Sequence, residues 1–190
     1  MQLNILWTGR EYYSLENCLV DITAAGAEIN STIIGKYGEK IYQVDYQIKI
    51  NENWETLFLH LKTQYSSRRE DLIFESDGRG NWIMNGRQAD QFKGCVDIDI
   101  ALSPLTNTLP IRRLKLSDGE EQEIQVIYFN ILEQEIGTAR QKYIRLSNTV
   151  YQYENIPNDF EAKIIVDEYG LVVDYPALFV RTTALETNFA

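Results

Sequence analysis

The amino-acid sequence predicts an all-β, mainly antiparallel protein with few or no helices. Three observations predict this class: a strictly alternating segment, strand-like segments at short and regular spacing, and hairpin turn sequences between them. Strands joined in this way form a meander that coils into a sandwich, a roll or a barrel. A chain of 190 residues with only 4 prolines fits one domain over residues 1–190, without a proline-rich linker.

The alternation is clearest in residues 40–51, KIYQVDYQIKIN. Its apolar and polar residues follow one another with a period of two, which predicts a strand with one buried and one wet face. Residues 28–34 are rich in β-branched side chains and predict a second strand, followed by turn positions at Gly35 and Gly38. Residues 54–62 predict a third strand, with Leu57, Leu59 and Leu61 on one face.

Hairpins are predicted around three turn sequences, at residues 77–80, 118–119 and 168–170. The flanking predicted strands are 70–76 with 81–84, 111–117 with 122–129, and 161–167 with 171–175. The helical candidates are weak. They are residues 60–70, which are charged with little apolar periodicity, and residues 131–140, which contain a glycine.

The net charge of −10 argues against two classes of partner. Sequence-independent binding to nucleic acid depends on Lys and Arg neutralising phosphates, and docking on an anionic membrane surface needs the same charges. The start of the sequence lacks a basic segment before an apolar run, and no run approaches the ~18 apolar residues of a membrane span. We therefore expect a cytoplasmic protein, without nucleic-acid partners or membrane insertion. Cys18 and Cys95 lie far apart in the sequence and form no CxxC pair, and both are expected to be small buried residues.

Most catalytic signatures are missing from the sequence. His60 is the single histidine, so multi-histidine metal sites are impossible, and its alternating segment predicts a hydrogen-bonded or solvent-facing strand residue. Neither a phosphate-binding loop nor a dinucleotide fingerprint in its proper context occurs. We therefore expect no metal ion, no cofactor and no catalytic residue.

Polar groups are densest in residues 94–116. Asp97 and Asp99 lie on one face of a predicted strand, about 6.6 Å apart. They could bind a hard cation, act as the acid and base of an inverting glycosidase, or recognise ligand hydroxyls. The structural alternative is pairing with Arg112 or Arg113, which the sequence places on a neighbouring strand; at most one of them shares the face of the aspartates. Asn107 lies in a Ser-, Thr- and Pro-rich loop that predicts an ordered corner, or polar contacts at a cavity mouth.

The tryptophans and the tyrosine-rich stretch each have two structural interpretations. Trp7, Trp54 and Trp82 predict either core or cavity wall, because indole combines an apolar body with one donor. Tyr143, with Tyr151, Tyr153 and Arg145 nearby, forms an aromatic–basic stretch. In an acidic protein this stretch favours a wet sheet face over single-stranded nucleic acid binding.

Several segments together resemble the family described as "Putative glycolipid-binding". The matching segments are WTGREYYSLE (7–16), SDGRGNW (76–82) with NG (85–86), GCVDIDIALSPLTNTLPIRRL (94–114), RQKYIRL (140–146), YQYE (151–154) and FEAKIIVDEYGLVVDYPALFVR (160–181). The resemblance implies a spiral β-roll or a partly closed barrel, similar in shape to bacterial lipid carriers of the lipoprotein type. It also implies a lipid or glycolipid ligand.

Three hypotheses follow, and the first is preferred. A non-catalytic binding module would hold an amphiphile in the concave face of the coiled sheet. The candidate ligand-binding residues are Trp7, Trp54, Trp82, Asp97, Asp99, Asn107, Arg112, Arg113, Tyr143 and Arg145. The alternatives are a scaffold that forms a homodimer or binds a partner protein, and a hydrolase that uses Asp97 and Asp99.

Overall fold

A computed structural model describes residues 1–187 of the chain. The strands are β1 Gln2–Gly9, β2 Ser14–Thr23, β3 Gly26–Tyr37, β4 Lys40–Asn51, β5 Thr56–Tyr65, β6 Arg68–Ser76, β7 Trp82–Met84, β8 Arg87–Gln88, β9 Asp97–Ile100, β10 Glu121–Asn130, β11 Glu135–Ser147, β12 Val150–Ile156, β13 Glu161–Val166, β14 Val172–Tyr175 and β15 Phe179–Thr187. Helix α1 is Thr108–Leu114, and shorter 3-10 turns occur at Asp90–Phe92 and Pro104–Asn107. No helix within residues 1–187 is long and apolar enough to cross a membrane.

Within these residues all the strands belong to one 15-stranded sheet, in the order β8-β7-β6-β5-β4-β3-β2-β1-β15-β14-β13-β12-β11-β10-β9. Successive strands pair antiparallel, β1 pairs with β15, and β9 joins β10 in parallel. A flat sheet of this size would be about 67 Å wide, at ~4.8 Å between strands. Its two edge strands are connected only by residues 89–96, which can span about 30 Å at most. The sheet is therefore forced to roll, which confirms the predicted coiled, mainly antiparallel sheet.

The β9–β10 end of the sheet lies inside the roll. Ile98, Ile100, Ile127 and Phe129 belong to the larger buried cluster. The ring of Phe129 contacts Phe74 of β6, with a centroid distance of 5.3 Å. Side chains alternate along a strand, so Asp97, Asp99 and Tyr128 project from the opposite face of this wall. The roll is thus a spiral whose inner strands divide the interior into two regions.

The segment 103–116 lies between these regions. Leu105 and Leu109 pack into the larger cluster, whereas Ile111 and Leu116 pack into a smaller one formed by strands β11–β15. We call the side of the larger cluster the packed half and the side of the smaller cluster the tyrosine half.

Several predicted elements are confirmed. Strand β4 has the predicted bounds, and its apolar residues Tyr42 to Ile50 are buried in alternation. The hairpins β6–β7 and β13–β14 form around the predicted turns. Cys18 and Cys95 are buried, as expected, and both are free thiols in the structure. His60 Nε2 lies 2.7 Å from an Asp71 carboxylate oxygen.

The predicted strand 111–117 is wrong, because α1 occupies most of it. The side chain of Ser103 accepts a hydrogen bond from the backbone of Leu105, and Pro104 follows it at the start of the 3-10 turn that leads into α1. Pro110 lies in the first turn of α1, where its missing N–H is not needed. The helix ends at Lys115, which is left-handed at φ 50°. Arg112 and Arg113 are therefore helical residues.

Other local predictions are also wrong. Residues 60–70 and 131–140 lie in strands and turns instead of helices. Gly35 lies inside β3 opposite Tyr42, where a Cβ atom would come within 2.4 Å of the tyrosine ring, so the turn uses Gly38 alone. A register shift beside Phe58 makes Leu57 half-buried and buries Thr56 in place of that leucine.

A candidate ligand-binding cleft in the tyrosine half

A cleft of about 350 Å³ opens between the inner strands of the spiral and the turn that joins β1 to β2. This volume lies within the usual range for small-molecule sites, roughly 300–1,000 Å³. Strands β9, β10, β11, β12, β14 and β15 contribute to its lining, together with the residues just before α1. The site thus depends on the roll bringing sequence-distant strands together.

Strand register explains why the lining residues meet. Asp99 lies directly opposite Tyr128 in the parallel β9–β10 pair. Gln141 lies opposite Asn155, and Tyr143 opposite Tyr153, in the antiparallel β11–β12 pair. Because every second residue of a strand shares a face, these side chains all project to the same side of the sheet.

One wall of the cleft is a continuous series of aromatic rings. Tyr12 contacts Phe179 at 6.1 Å between ring centroids, Phe179 contacts Tyr175 at 6.2 Å, and Tyr175 contacts Tyr153 at 6.1 Å. Phe160 lies beside both Tyr153 and Tyr175. Tyr128 also lines the cleft. Burial, reinforced by the negative charge of Asp99, raises the pKa of Tyr128 to about 12, so its hydroxyl stays neutral at physiological pH.

The floor of the cleft is polar. Thr106 Oγ1 donates to one oxygen of Asp99 at 2.9 Å, and Gln141 Nε2 donates to the other at 2.6 Å. Burial raises the pKa of Asp99, and these two hydrogen bonds oppose that rise. Behind this floor the Tyr143 hydroxyl donates to Asn107 Oδ1 at 3.0 Å. The polar groups are therefore held in fixed orientations from below.

Asp97 has a different environment, although it precedes Asp99 by only two residues. Its side chain is fully buried, and Arg113 Nε donates to both carboxylate oxygens, at 3.0 and 3.1 Å. Arg112 turns the other way: its guanidinium lies 4.4 Å from the ring centre of Trp54 and donates to the backbone oxygen of Tyr169. The expected pairing of an aspartate with one of the two arginines is thus present, and it immobilises Asp97.

The candidate residues separate into three groups. Asp99 and Asn107 line the cleft, and Tyr143 supports Asn107 from behind. Trp7 and Trp82 lie in the packed half, where their indole N–H groups donate to the backbone oxygens of Val172 and Cys95 at 2.8 and 2.7 Å.

The other candidates make structural contacts. Asp97, Arg113, Arg112 and Trp54 form the two pairs around α1 described above. Arg145 donates to the backbone oxygen of Leu116 at 2.7 Å and so fastens the end of α1 to the sheet.

None of the aromatic residues that line the cleft was among the candidates. The missed residues are the aromatic Tyr12, Tyr128, Tyr153, Phe160, Tyr175 and Phe179, together with the amide residue Gln141. The expectation of a wet sheet face for Tyr143, Tyr151 and Tyr153 is wrong, since all three are buried. The two-residue spacing of Tyr151 and Tyr153 was the available sign of a buried strand face. The charged residues around them and the acidic composition instead indicated a solvent-exposed face.

A second polar network adjoins the cleft through Ser103. Its hydroxyl donates to Glu16 Oε1 at 2.9 Å, and the same oxygen accepts from Tyr46 at 2.5 Å and from Ser31 at 2.8 Å. Burial raises the pKa of Glu16 to about 7. This carboxyl group therefore titrates near neutral pH inside the packed half.

Comparison with known proteins agrees with the architecture. The model of the family described as "Putative glycolipid-binding" matches residues 4–181. The chain belongs to this family. A DUF1089 family protein from Pseudomonas aeruginosa is 35% identical, with a TM-score of 0.80 over 87% of this chain and 91% of that one.

A more distant structure shares the fold alone. It is a β-barrel-like protein of the domain of unknown function DUF1849 from Brucella abortus, 6% identical, with a TM-score of 0.55 over 96% of both chains. No curated protein matches this sequence.

Proposed function

We propose that the protein binds a small amphiphile, a lipid or glycolipid, in the cleft of the tyrosine half and does not change it chemically. The observation that carries this proposal is the arrangement of one cleft of about 350 Å³ with a continuous aromatic wall and a polar floor. A mostly apolar pocket with a few convergent polar groups is the usual design of a small-molecule site.

The two surfaces suit the two parts of an amphiphile. Aromatic faces such as those of Tyr153 and Tyr175 pack against hydrocarbon and also against the apolar face of a sugar ring. Asp99, Gln141 and Asn155 supply acceptors and donors for a polar head group. The glycolipid named in the family description fits this division and supports the proposal.

The size of the cleft limits the ligand. A volume near the lower end of the usual range accommodates a head group and the first part of a tail. We therefore propose a single small amphiphile, whose remaining chain extends through the open side of the cleft.

The geometry gives little support to a hydrolase. Acid–base catalysis by the aspartate pair requires both carboxylates to reach a substrate or a water. Asp97 is fully buried and held by Arg113, so Asp99 is the member of the pair that faces the cleft.

The proposal is tested by native mass spectrometry of protein purified without detergent, followed by extraction of any bound molecule. We expect about one amphiphile per chain in the wild type and none in Ala139→Phe, because the larger side chain fills the cleft. Ala24→Phe, which adds the same ring in an exposed turn, should retain the ligand. A wild type free of ligand that also fails to take up added amphiphiles would contradict the proposal.

A second candidate function, self-association, rests on an apolar patch on the outer face of β2–β4. Leu15 and Ile34 are direct cross-strand neighbours and are 53% and 55% exposed, and Ile41 nearby is 73% exposed. Such patches mark interaction sites more often than scattered apolar residues do. A dimer in sedimentation velocity that Ile34→Lys converts to monomer would support this candidate, and a monomer at all concentrations would contradict it.

A further inference from the structure

We infer that the cleft selects amphiphiles whose head group carries a positive charge, an amine or a quaternary ammonium, over neutral and anionic ones. This inference rests on the proposed function, because it specifies the ligand of the same cleft. A lipid with an amine or ammonium head group, or a glycolipid with an amino group on its sugar, would satisfy both the proposed function and this inference.

The charged residues that line the cleft, within the described part of the chain, are all acidic. Glu11 lies at its exposed rim and Asp99 in its floor. Among the described residues that line the cleft there is no lysine, arginine or histidine. A phosphate, sulfate or carboxylate head would meet repulsion there without a compensating donor of positive charge, whereas a cation would be attracted.

Asp97 and Asp99 differ in whether a positive charge compensates them. The protein neutralises Asp97 with the guanidinium of Arg113. Asp99 receives hydrogen bonds only from neutral groups, Thr106 and Gln141, within the part of the chain that the structure describes. These bonds orient the carboxylate and leave its negative charge uncompensated. The missing counter-charge is what a cationic head group would supply.

The aromatic wall provides the second contact that a cation needs. Tyr12, Tyr153, Tyr175 and Phe179 belong to one series of rings around the same space as Asp99. The negative face of an aromatic ring attracts a cation within about 6 Å, and cages of such rings bind quaternary ammonium groups. Burial raises the pKa of Tyr153 and of Tyr175. The negative charge of Asp99 adds to this rise in both, for Tyr175 after the neighbouring Tyr153, which is consistent with Asp99 facing this wall.

The test compares three probes with the same tail and different heads: octyltrimethylammonium, octyl glucoside and octyl sulfate. Each is titrated below its micelle concentration into the full chain by isothermal titration calorimetry, at an ionic strength of about 0.15 M so that long-range attraction to the acidic surface is screened. We expect the ammonium probe to bind about tenfold tighter than the other two, because charge-assisted and cation–π contacts add to the common apolar contacts.

Variants separate the cleft from the general charge. Asp99→Asn should weaken the ammonium probe about tenfold and the glucoside by a clearly smaller factor, since the amide can still hydrogen-bond a hydroxyl but removes the negative charge. Glu52→Gln removes the same charge at an exposed turn outside the cleft and should leave all affinities unchanged. If Asp99→Asn fails to fold, Glu11→Gln at the rim provides the same test with a smaller loss, about threefold.

The outcomes are distinct. Glucoside or sulfate binding as tightly as ammonium, or an equal loss in Glu52→Gln and Asp99→Asn, would overturn the inference and leave amphiphile binding intact. Failure of all three probes to bind would overturn the proposed function as well.

Discussion

The two halves of the spiral use one sheet for opposite purposes. In the packed half, the inward residues are chiefly Ile, Leu, Val and Phe, and the indoles of Trp7 and Trp82 satisfy their single donors on backbone oxygens. In the tyrosine half, the inward residues include Tyr153, Tyr175 and Gln141, and a cleft of about 350 Å³ remains. Hydrocarbon side chains pack closely against one another, whereas buried tyrosine hydroxyls and amides need hydrogen-bond partners or water. One sheet thus encloses a close-packed, mainly aliphatic core on one side and an open cleft with aromatic and polar lining on the other.

We expect the greatest difference in stability between the halves when one phenylalanine of each is replaced by alanine. Phe74 is fully buried between Trp82 and Phe129, so Phe74→Ala should lower the free energy of unfolding by about 3–5 kcal/mol. Phe160 is 36% exposed at the cleft, so Phe160→Ala should cost about 1 kcal/mol or less. Urea denaturation measures both, and similar losses would contradict the distinction between the halves.

The next effect is a pH dependence that originates in the packed half. Glu16 has a pKa of about 7 in the folded protein against 4.5 as its ordinary value, so the native state binds the proton more tightly. Its contribution to stability is fully present below pH 4.5 and is lost as the pH rises to about 7. This loss amounts to about 3 kcal/mol.

Glu16→Gln isolates this contribution, because glutamine does not titrate. The stability of the wild type should fall between pH 4.5 and pH 7 relative to that of the variant, as measured by urea denaturation across this range. Parallel pH profiles for the two proteins would show that Glu16 is not the titrating group.

A smaller effect separates the two aspartates of β9. Asp97→Asn leaves the guanidinium of Arg113 half-buried without its partner and should cost about 2 kcal/mol, reduced from the value for a fully buried pair by partial solvation of the arginine. Asp99→Asn should cost about 1 kcal/mol or less, because neutral groups contact it and its burial is incomplete. Thermal unfolding of both variants tests this order, and a larger loss in Asp99→Asn would reverse the assigned roles.

Local patterns in the sequence predicted most of the sheet. The alternation in residues 40–51 and the glycine turns at 77–80 and 168–170 are properties of neighbouring residues, and the structure confirms them. Helix α1 escaped prediction because it has only seven residues and its apolar residues pack against both core clusters, so that the segment shows no helical period.

The cleft was predictable only in part. Asp99 and Asn107 stood out because polar groups concentrate around them, and both line the cleft. Tyr12, Tyr128 and Tyr175 come from strands or turns far apart in the sequence, and only the closure of the roll brings them together. Trp7 and Trp82 were candidates by residue type alone, and side-chain type cannot tell the two halves apart.

Binding of an amphiphile in the tyrosine half can be located residue by residue in a ¹H–¹⁵N NMR titration of the full chain. Octyltrimethylammonium and octyl glucoside are added separately, each below its micelle concentration. We expect saturable shifts confined to amides around the cleft, such as those of Asp99, Ala139 and Gln141, while the amides of Val44 and Phe74 in the packed half stay unchanged. Shifts centred on the packed half or on the outer patch, or none with either probe, would contradict binding in the cleft.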